Sequence, residues 1–192
     1  MKIKNLIVLL FTVTIVTVNA NDKLPYKIAQ KKAIEVVHQF HKMMKINMGQ
    51  RLKKGGTLEA AKFCIKNSAK EIKKFNKALE QGVSLKRVSL RNRNPNAYPT
   101  KEEIKILKAF ELLENSSVYL PNFTQVAGEN KYKVYFAATM SQRSCKKCHG
   151  LKKSINSKVL KILDAKYPND KALGFRAGEV RGAVIVTVNL NN

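Results

Sequence analysis

The chain has 192 residues, 44% of them hydrophobic, which is enough to bury one ordinary core and makes a single domain the expectation. Its three cysteines are too few for a disulfide-stapled scaffold. The formal net charge of +24 either solvates the helix surfaces or favours acidic protein partners and anionic membrane surfaces, whereas nucleic acid is not expected as a partner because the charge is spread along the chain.

Residues 1–20 have the pattern of a secretory signal peptide. Lys2 and Lys4 provide the positive start, an apolar run follows from Leu6 to Val18, and Ala20 stands where a signal peptidase would cleave. The run is too short to span a membrane comfortably, so an uncleaved anchor is the second interpretation. We therefore expect an exported domain of residues 21–192, periplasmic or otherwise extracytoplasmic, in an oxidising compartment.

Two long helices are predicted next. The first runs from Tyr26 to about Arg51, because its apolar residues recur at steps of three and four, and Gly55-Gly56 ends it. Thr57 then caps a second helix that extends to about Leu79. Both helices would pack one apolar stripe against the rest of the domain.

Several residues on these helices are of types that bind metals. His38 and His41 lie off the apolar stripe and are possible ligands, although solvated surface histidines show the same pattern. Met43 and Met44 belong to the stripe and are predicted core residues. Cys64 lies at the edge of the second stripe, where a free cysteine is usually a small buried hydrophobe. The small residues one turn away would let a flat macrocycle approach closely; they are Ala60, Ala61, Asn67 and Ser68.

A strand is predicted from Val83 to Asn94, because two sets of residues alternate there. The alternation places Arg87, Arg91 and Arg93 on one face. Arginine suits bidentate pairing with carboxylates, and such a face could bind the carboxylates of a ligand. The equal alternative is a solvated edge strand blunted by charge.

Beyond the turn at residues 94–99, Thr100 and Glu103 form a capping box for a helix that ends near Glu114. The segments 118–126 and 132–140 read as the two strands of a hairpin, because each is rich in β-branched and aromatic residues and a Gly-containing loop joins them.

The strongest motif follows this hairpin and consists of Cys145, Cys148 and His149. Two cysteines three apart, followed at once by histidine, are the attachment pattern of a c-type haem, in which each thiol bonds one vinyl group and the histidine becomes an axial ligand of the iron. Zinc is poorly supported, because no second pair stands at ligand spacing. A redox-active Cys-x-x-Cys remains open, because a strand precedes the motif. Met140 is a further possible ligand, although it stands close before Cys145.

The last part of the chain predicts a short helix from Ser154 to about Ala165 and a turn at residues 167–170. Gly174, Gly178 and Gly182 are predicted turn glycines, and a closing strand runs from Ala183 to Leu190.

Four groups of residues together resemble a family of exported single-haem proteins with a PAS-like fold and histidine/cysteine axial ligation. These groups are Cys64, Arg87-x-Ser89-x-Arg91-x-Arg93-Asn94-Pro95, Cys145-x-x-Cys148-His149-Gly150, and Tyr167-Pro168-x-Asp170-x-Ala172-x-Gly174. The resemblance implies an α+β fold, with a PAS-like central antiparallel sheet flanked by long N-terminal helices. It also implies one covalently attached haem c, with His149 as the proximal ligand and Cys64 as the distal one.

Three functions are compatible with these patterns. The first is electron transfer by a monohaem c-type protein to a redox partner, for which the positive charge favours an acidic protein; because both axial positions are filled, catalysis is not expected. The second is a redox or small-gas haem sensor that acts through a partner chain, if Cys64 leaves the iron on reduction. The third is an enzyme, a thiol–disulfide oxidoreductase that uses Cys145 and Cys148.

Overall fold

The computed structural model describes residues 23–141 and 143–191. It is an α+β protein with a four-stranded antiparallel sheet and a long N-terminal helix, which confirms the predicted fold class. The predicted signal peptide of residues 1–20 and its cleavage near Ala20 lie outside the described residues. Across the described ranges, no helix is both long enough and apolar enough to cross a membrane.

Helix α1 spans Lys23–Lys77 and is interrupted at Gly55 and Gly56. Gly56 has φ 63° and ψ −157°, a conformation that side chains disfavour and glycine adopts readily. The break therefore divides α1 into a first arm, residues 23–54, and a second arm, residues 57–77. The two predicted helices and the glycine boundary between them are confirmed.

The sheet contains β1 (Val83–Val88), β2 (Phe123–Gly128), β3 (Lys131–Thr139) and β4 (Val180–Asn189), in the spatial order β1-β4-β3-β2. Every neighbouring pair is antiparallel. The hairpin of β2 and β3 is confirmed, although β2 begins later than predicted.

The prediction of a strand up to Asn94 was wrong, because β1 ends at Val88. Ser89 turns away from the ladder: its backbone N–H donates to the carbonyl of Ala97 at 3.0 Å, and its hydroxyl donates to the carbonyl of Arg181 at 2.6 Å. The alternation read from the sequence therefore does not place Arg91 and Arg93 on the sheet.

The closing strand begins at Val180 and not at Ala183, so Gly182 lies inside β4 and is not a turn glycine as predicted. Its φ is 149°, and a Cβ there would stand 2.2 Å from the carbonyl oxygen of Val88. At this point the register shifts: Ala138 pairs with Gly182 and Thr139 with Val180. Arg181 is thus the extra residue of a β-bulge, a feature that redirects side chains.

The remaining helices are α2 (Lys101–Asn115), α3 (Arg143–His149) and α4 (Ser157–Lys166), with short 3₁₀ turns at Pro95–Ala97 and Lys152–Ser154. The capping box of α2 is confirmed, because Glu103 N–H donates to Thr100 Oγ1 at 3.4 Å and Thr100 N–H donates to Glu103 Oε2 at 3.1 Å. Helix α4 begins slightly later than predicted.

The two faces of the sheet carry separate cores. The first arm packs on one face, where Phe40, Val184 and Val186 are buried together, and Met43 and Met44 pack against this cluster as predicted. Helix α2 packs on the other face; its core includes Leu107, Phe110, Tyr135 and Ile185. A third cluster joins the second arm to α4 through Ala61, Val159 and Leu163. The first face therefore continues, beyond the first arm, toward the second arm and α3.

Candidate functional site

Helix α3 presents the two motif cysteines to different neighbours. Cys145 packs against the buried side chains of Met140, Ala172 and Phe175, whereas Cys148 packs against the cluster that joins the second arm to α4. Both thiols are half-buried, and none of the three cysteines forms a disulfide. Burial raises the pKa of Cys148, which opposes the reactive thiolate that an oxidoreductase requires.

His149 is held in one orientation by its two ring nitrogens. Nδ1 lies 2.9 Å from the carbonyl oxygen of Ala172, and Nε2 lies 3.5 Å from an Nη atom of Arg181. Because a guanidinium can only donate, Nε2 is the acceptor and Nδ1–H donates to Ala172. Metal-binding histidines usually donate one ring N–H to a carbonyl, as Nδ1–H does here, and bind the metal through the lone pair of the other nitrogen.

The charge state of His149 agrees with this arrangement. Burial, followed by the positive charges of Arg181 and Arg93, holds the pKa of His149 well below its ordinary value. The ring is therefore neutral at physiological pH, as a metal ligand must be.

The chain after α4 fixes the end of the motif helix. The backbone N–H of Phe175 donates to the carbonyl of His149 at 2.9 Å, and that of Gly174 donates to the carbonyl of Gly150 at 2.8 Å. A Cβ at Gly150 would lie 2.6 Å from the carbonyl oxygen of Lys146, so only glycine fits there without displacement of the backbone. Gly150 thus allows the backbone that follows His149 to pass close to the last turn of α3.

The second arm brings Cys64 to the same region. Its thiol lies 3.4 Å from the thioether sulfur of Met48, which comes from the first arm across the glycine break. Burial raises the pKa of Cys64, and the charges of Arg87, Arg93 and Arg181 oppose that rise. Met48 was missed by the sequence analysis, since no local spacing connects residues on either side of the break.

Two of the predicted arginines bind the polypeptide itself. Arg93 pairs with Asp170 at 2.8 Å and donates to the carbonyl of Cys148 at 2.6 Å. The Arg91 guanidinium carbon lies 3.8 Å from the centre of the Phe175 ring, and Arg91 also donates to the carbonyl of Leu173. The prediction that Arg87, Arg91 and Arg93 share one strand face was therefore wrong, because β1 ends before the second and third of them.

Arg87 remains on the sheet, on the same side as Leu85, and Arg181 reaches the site from the bulge in β4. Within the described ranges neither forms a salt bridge, and both lie within electrostatic reach of the thiols Cys64 and Cys145. Burial lowers the pKa of Arg87, and burial together with Arg87 lowers that of Arg181 to about 10. Arg181 was not predicted as a site residue, because only the bulge directs its side chain toward His149.

The other predicted ligands occupy less central positions. His38 and His41 are exposed on the first arm, although burial and the charge of Arg87 lower the pKa of His41. Met140 is buried beside Cys145. In the described part of the chain, no three His, Cys, Asp or Glu side chains gather into a site for a bare metal ion.

The residues present fit a haem. A thiol pair and a neutral histidine stand on one short helix, and a third thiol lies near them on the second arm. Two guanidinium groups that have no carboxylate partner among the described residues adjoin them. A haem has matching groups for each: two vinyls, an iron with two axial positions, and two carboxylates. A nearby cavity of about 390 Å³ is lined by none of these ligands; its lining includes Lys146, Lys147 and Arg176.

Comparison with known proteins gave two findings. The model of the Tll0287-like family matches residues 21–189. The crystal structure of the cyanobacterial heme-protein Tll0287 is similar, with a TM-score of 0.60 and 23% sequence identity over 90% of this chain and 98% of that one. This likeness shows a shared fold. No curated protein matches the chain.

Proposed function

The chain belongs to the Tll0287-like family, and on that premise we propose that it is an exported protein that carries one covalently bound haem c and passes single electrons to a partner protein. The observation that carries the proposal is the setting of His149, whose Nδ1–H is bonded to Ala172 while its Nε2 lone pair is directed away from that carbonyl, toward Arg181. The solved relative in the family's fold is itself described as a heme-protein.

Cys145 and Cys148 are proposed to hold the haem covalently. Each thiol S–H adds across one vinyl group, so that sulfur bonds to one carbon and the hydrogen to the other, without any oxidant. The two-residue gap lets both sulfurs of one helix reach vinyls on neighbouring pyrroles. Because α3 is fixed at its end by Gly174 and Phe175, the attachment would also fix the haem relative to the sheet.

His149 and Cys64 are proposed as the two axial ligands. Bound haem supplies a reversible one-electron change at the iron. His149 offers the Nε2 lone pair, and Cys64 offers a sulfur from the opposite helix. A thiolate donates charge and stabilises the ferric state, so we expect a low reduction potential. With two protein ligands no position is left for a substrate, and we therefore propose no catalytic activity.

Export and partner choice are proposed from the sequence. The signal pattern of residues 1–20 would deliver the chain to an oxidising compartment outside the cytoplasm. The formal charge of +24 favours an acidic redox partner through electrostatic steering, which raised ionic strength would weaken.

The test is to purify the chain after co-expression with a haem c maturation system. We expect a Soret band that survives extraction with acidified acetone, and a ferric electron paramagnetic resonance spectrum typical of low-spin iron with a thiolate ligand. Cys64→Ala should abolish that thiolate spectrum and raise the reduction potential. Colourless mature protein would overturn the whole proposal; an unchanged spectrum in Cys64→Ala would remove Cys64 from it.

A redox or gas sensor is the second candidate, favoured by the position of Met48. Its thioether lies 3.4 Å from the Cys64 thiol, so a neutral sulfur stands ready beside the proposed thiolate ligand. Exchange of one for the other on reduction would move the two arms of α1 relative to each other. Carbon monoxide binding by the ferrous protein, compared between wild type and Met48→Leu, tests this. A ferrous form that stays six-coordinate and ignores carbon monoxide in both proteins excludes gas sensing.

A further inference from the structure

Arg87 and Arg181 are two charged side chains that the fold buries partly without giving them a carboxylate. We propose that they form a pair that binds the two propionate groups of the haem. The inference rests on the proposed function and deepens it, because it assigns the carboxylate end of the ligand to two named residues, one of which the sequence pattern gave no reason to choose.

The positive charges of Arg87 and Arg181 are not balanced among the described residues. Removing a guanidinium from water is costly unless an anion accompanies it. Among the described residues, salt bridges are formed by Arg93 but by neither Arg87 nor Arg181. The two side chains come from neighbouring strands, since Arg87 pairs with Val184 of β4, three residues after Arg181. Two neighbouring cations without counter-ions match a ligand that brings two negative groups.

The second argument is position. Arg87 is on the sheet face that continues toward the second arm, and its guanidinium lies within electrostatic reach of Cys64 and Cys145. Arg181 lies 3.5 Å from Nε2 of His149 through one Nη atom. Both guanidinium groups are therefore beside residues that belong to the four proposed to hold the macrocycle and its iron.

The third argument concerns the contact between Arg181 and His149. A metal would use the Nε2 lone pair that now accepts from Arg181, so Arg181 must give up this bond when the iron is bound. Its donors then need another acceptor within reach of the long arginine side chain. A propionate provides one, and an arginine fork suits a carboxylate through two parallel bonds.

Arg91 and Arg93 are excluded from the pair by the bonds they already make. Arg93 is occupied by Asp170 and by the carbonyls of Cys148 and Ala172. Arg91 stacks on Phe175 and bonds Leu173. These two arginines hold the segment of residues 170–175 in place beside α3, so Arg87 and Arg181 are left to bind the carboxylates of the haem.

The experiment uses the haem-loaded protein and four variants: Arg87→Gln, Arg181→Gln, the double variant, and Arg181→Lys. Arg176→Gln is the control, because Arg176 is an exposed cation close to the motif. The readouts are the resonance Raman bending mode of the haem propionates, which responds to hydrogen bonding, and the reduction potential at one fixed pH. Circular dichroism checks folding.

We expect the propionate mode to shift in each single Gln variant and not in Arg176→Gln. The potential should fall in each single variant and further in the double one, because loss of a nearby positive charge favours the ferric form. Arg181→Lys should keep the potential near that of wild type yet still shift the mode, since lysine cannot form the two parallel bonds.

The outcomes separate this inference from the proposed function. Colourless protein overturns the function itself. Haem-loaded protein with an unchanged propionate mode in both Arg87→Gln and Arg181→Gln overturns the pair and leaves the function intact, and so does an equal effect of Arg176→Gln. If the Gln variants fail to fold, Arg87→Lys and Arg181→Lys carry the same test of the mode, since each keeps its charge.

Discussion

Both faces of the sheet bury charged side chains, but they differ in whether those charges have a partner of opposite sign. On the α2 face Glu103 is fully buried, and the Nζ of Lys86 lies 2.7 Å from its Oε1, while its other oxygen accepts from the backbone of Thr100. On the α1 face Arg87 and Arg181 form no salt bridge within the described ranges. The buried charge on the α2 face is therefore paired within the protein, whereas the two positive charges on the α1 face have no anionic partner among the described residues.

This difference indicates which buried charge belongs to the fold and which to a ligand. A buried ion pair that is satisfied internally fixes the packing of its elements, and its loss weakens the protein. Cations that have no internal partner weaken the fold unless a ligand supplies the anion. We therefore expect substitutions on the α2 face to change stability alone, and those on the α1 face to change the bound group.

The largest expected effect removes the ligand from the α1 face. Cys145→Ser combined with Cys148→Ser should abolish all covalently bound haem, because neither vinyl group can then form a thioether. Haem staining of a denaturing gel measures this directly. Cys64→Ser is the matched control, since it removes a proposed axial sulfur but leaves both attachment points. Haem that stays with the denatured double variant would contradict the assignment.

The second prediction concerns a satisfied arginine of the same site. Asp170 is only 3% exposed, so Arg93→Gln leaves a buried carboxylate without its partner and should lower the free energy of unfolding by about 3–5 kcal/mol. Urea denaturation measures the change. Adding Asp170→Asn should recover much of the loss, because no charge is then left unpaired.

An exposed ion pair provides the comparison for Arg93. Lys152 and Asp164 are 3.9 Å apart with side chains 66% and 52% exposed, so Lys152→Gln should cost at most about 1 kcal/mol. Equal losses in Lys152→Gln and Arg93→Gln would show that burial of the Asp170 pair adds nothing.

The third prediction tests the α2 face, with a smaller effect. Glu103→Ala removes the capping box and the ion pair, but Lys86 is 49% exposed and returns to water, so we expect a loss of about 1–3 kcal/mol. Glu103→Gln can still accept from Thr100 N–H and should lose less. Thermal or urea denaturation compares the two, and a larger loss for the Gln variant would contradict the role of the cap. The haem content of both should equal that of wild type.

Much of the fold could be predicted because its signals are local. The glycine pair that divides α1, the capping box at Thr100 and the β-branched and aromatic run that forms β3 each depend on neighbouring residues, and the structure confirms all three. The cysteine motif is equally local in sequence, but the short helix that carries it was not predicted.

The parts that were missed depend on contacts between distant segments. The end of β1 is set by bonds from Ser89 to Ala97 and Arg181, which no alternation reveals. Arg181 turns into the site because a bulge in β4 adds one residue opposite β3. Met48 reaches Cys64 only because α1 bends at the glycines. The sequence was sufficient to propose a ligand set, whereas the electrostatic surroundings of those residues required the tertiary structure.

The smallest expected effect uses Tyr135 as a reporter of the charge on the α2 face. Burial, then Glu103 and Glu102, raise the pKa of Tyr135 from 10.0 to about 12, and its hydroxyl donates to Gln125 at 2.7 Å. Since the folded state holds this proton more tightly than the unfolded state, the stabilisation is complete below pH 10 and is lost as the pH rises toward 12. Tyr135→Phe should cost about 1 kcal/mol at neutral pH through the lost hydrogen bond, and its stability should then fall less steeply than that of wild type across the alkaline range. Glu103→Gln should reduce the same slope in part, because it removes one of the charges that hold the proton in place, whereas parallel alkaline curves for all three proteins would show that Tyr135 does not sense Glu103.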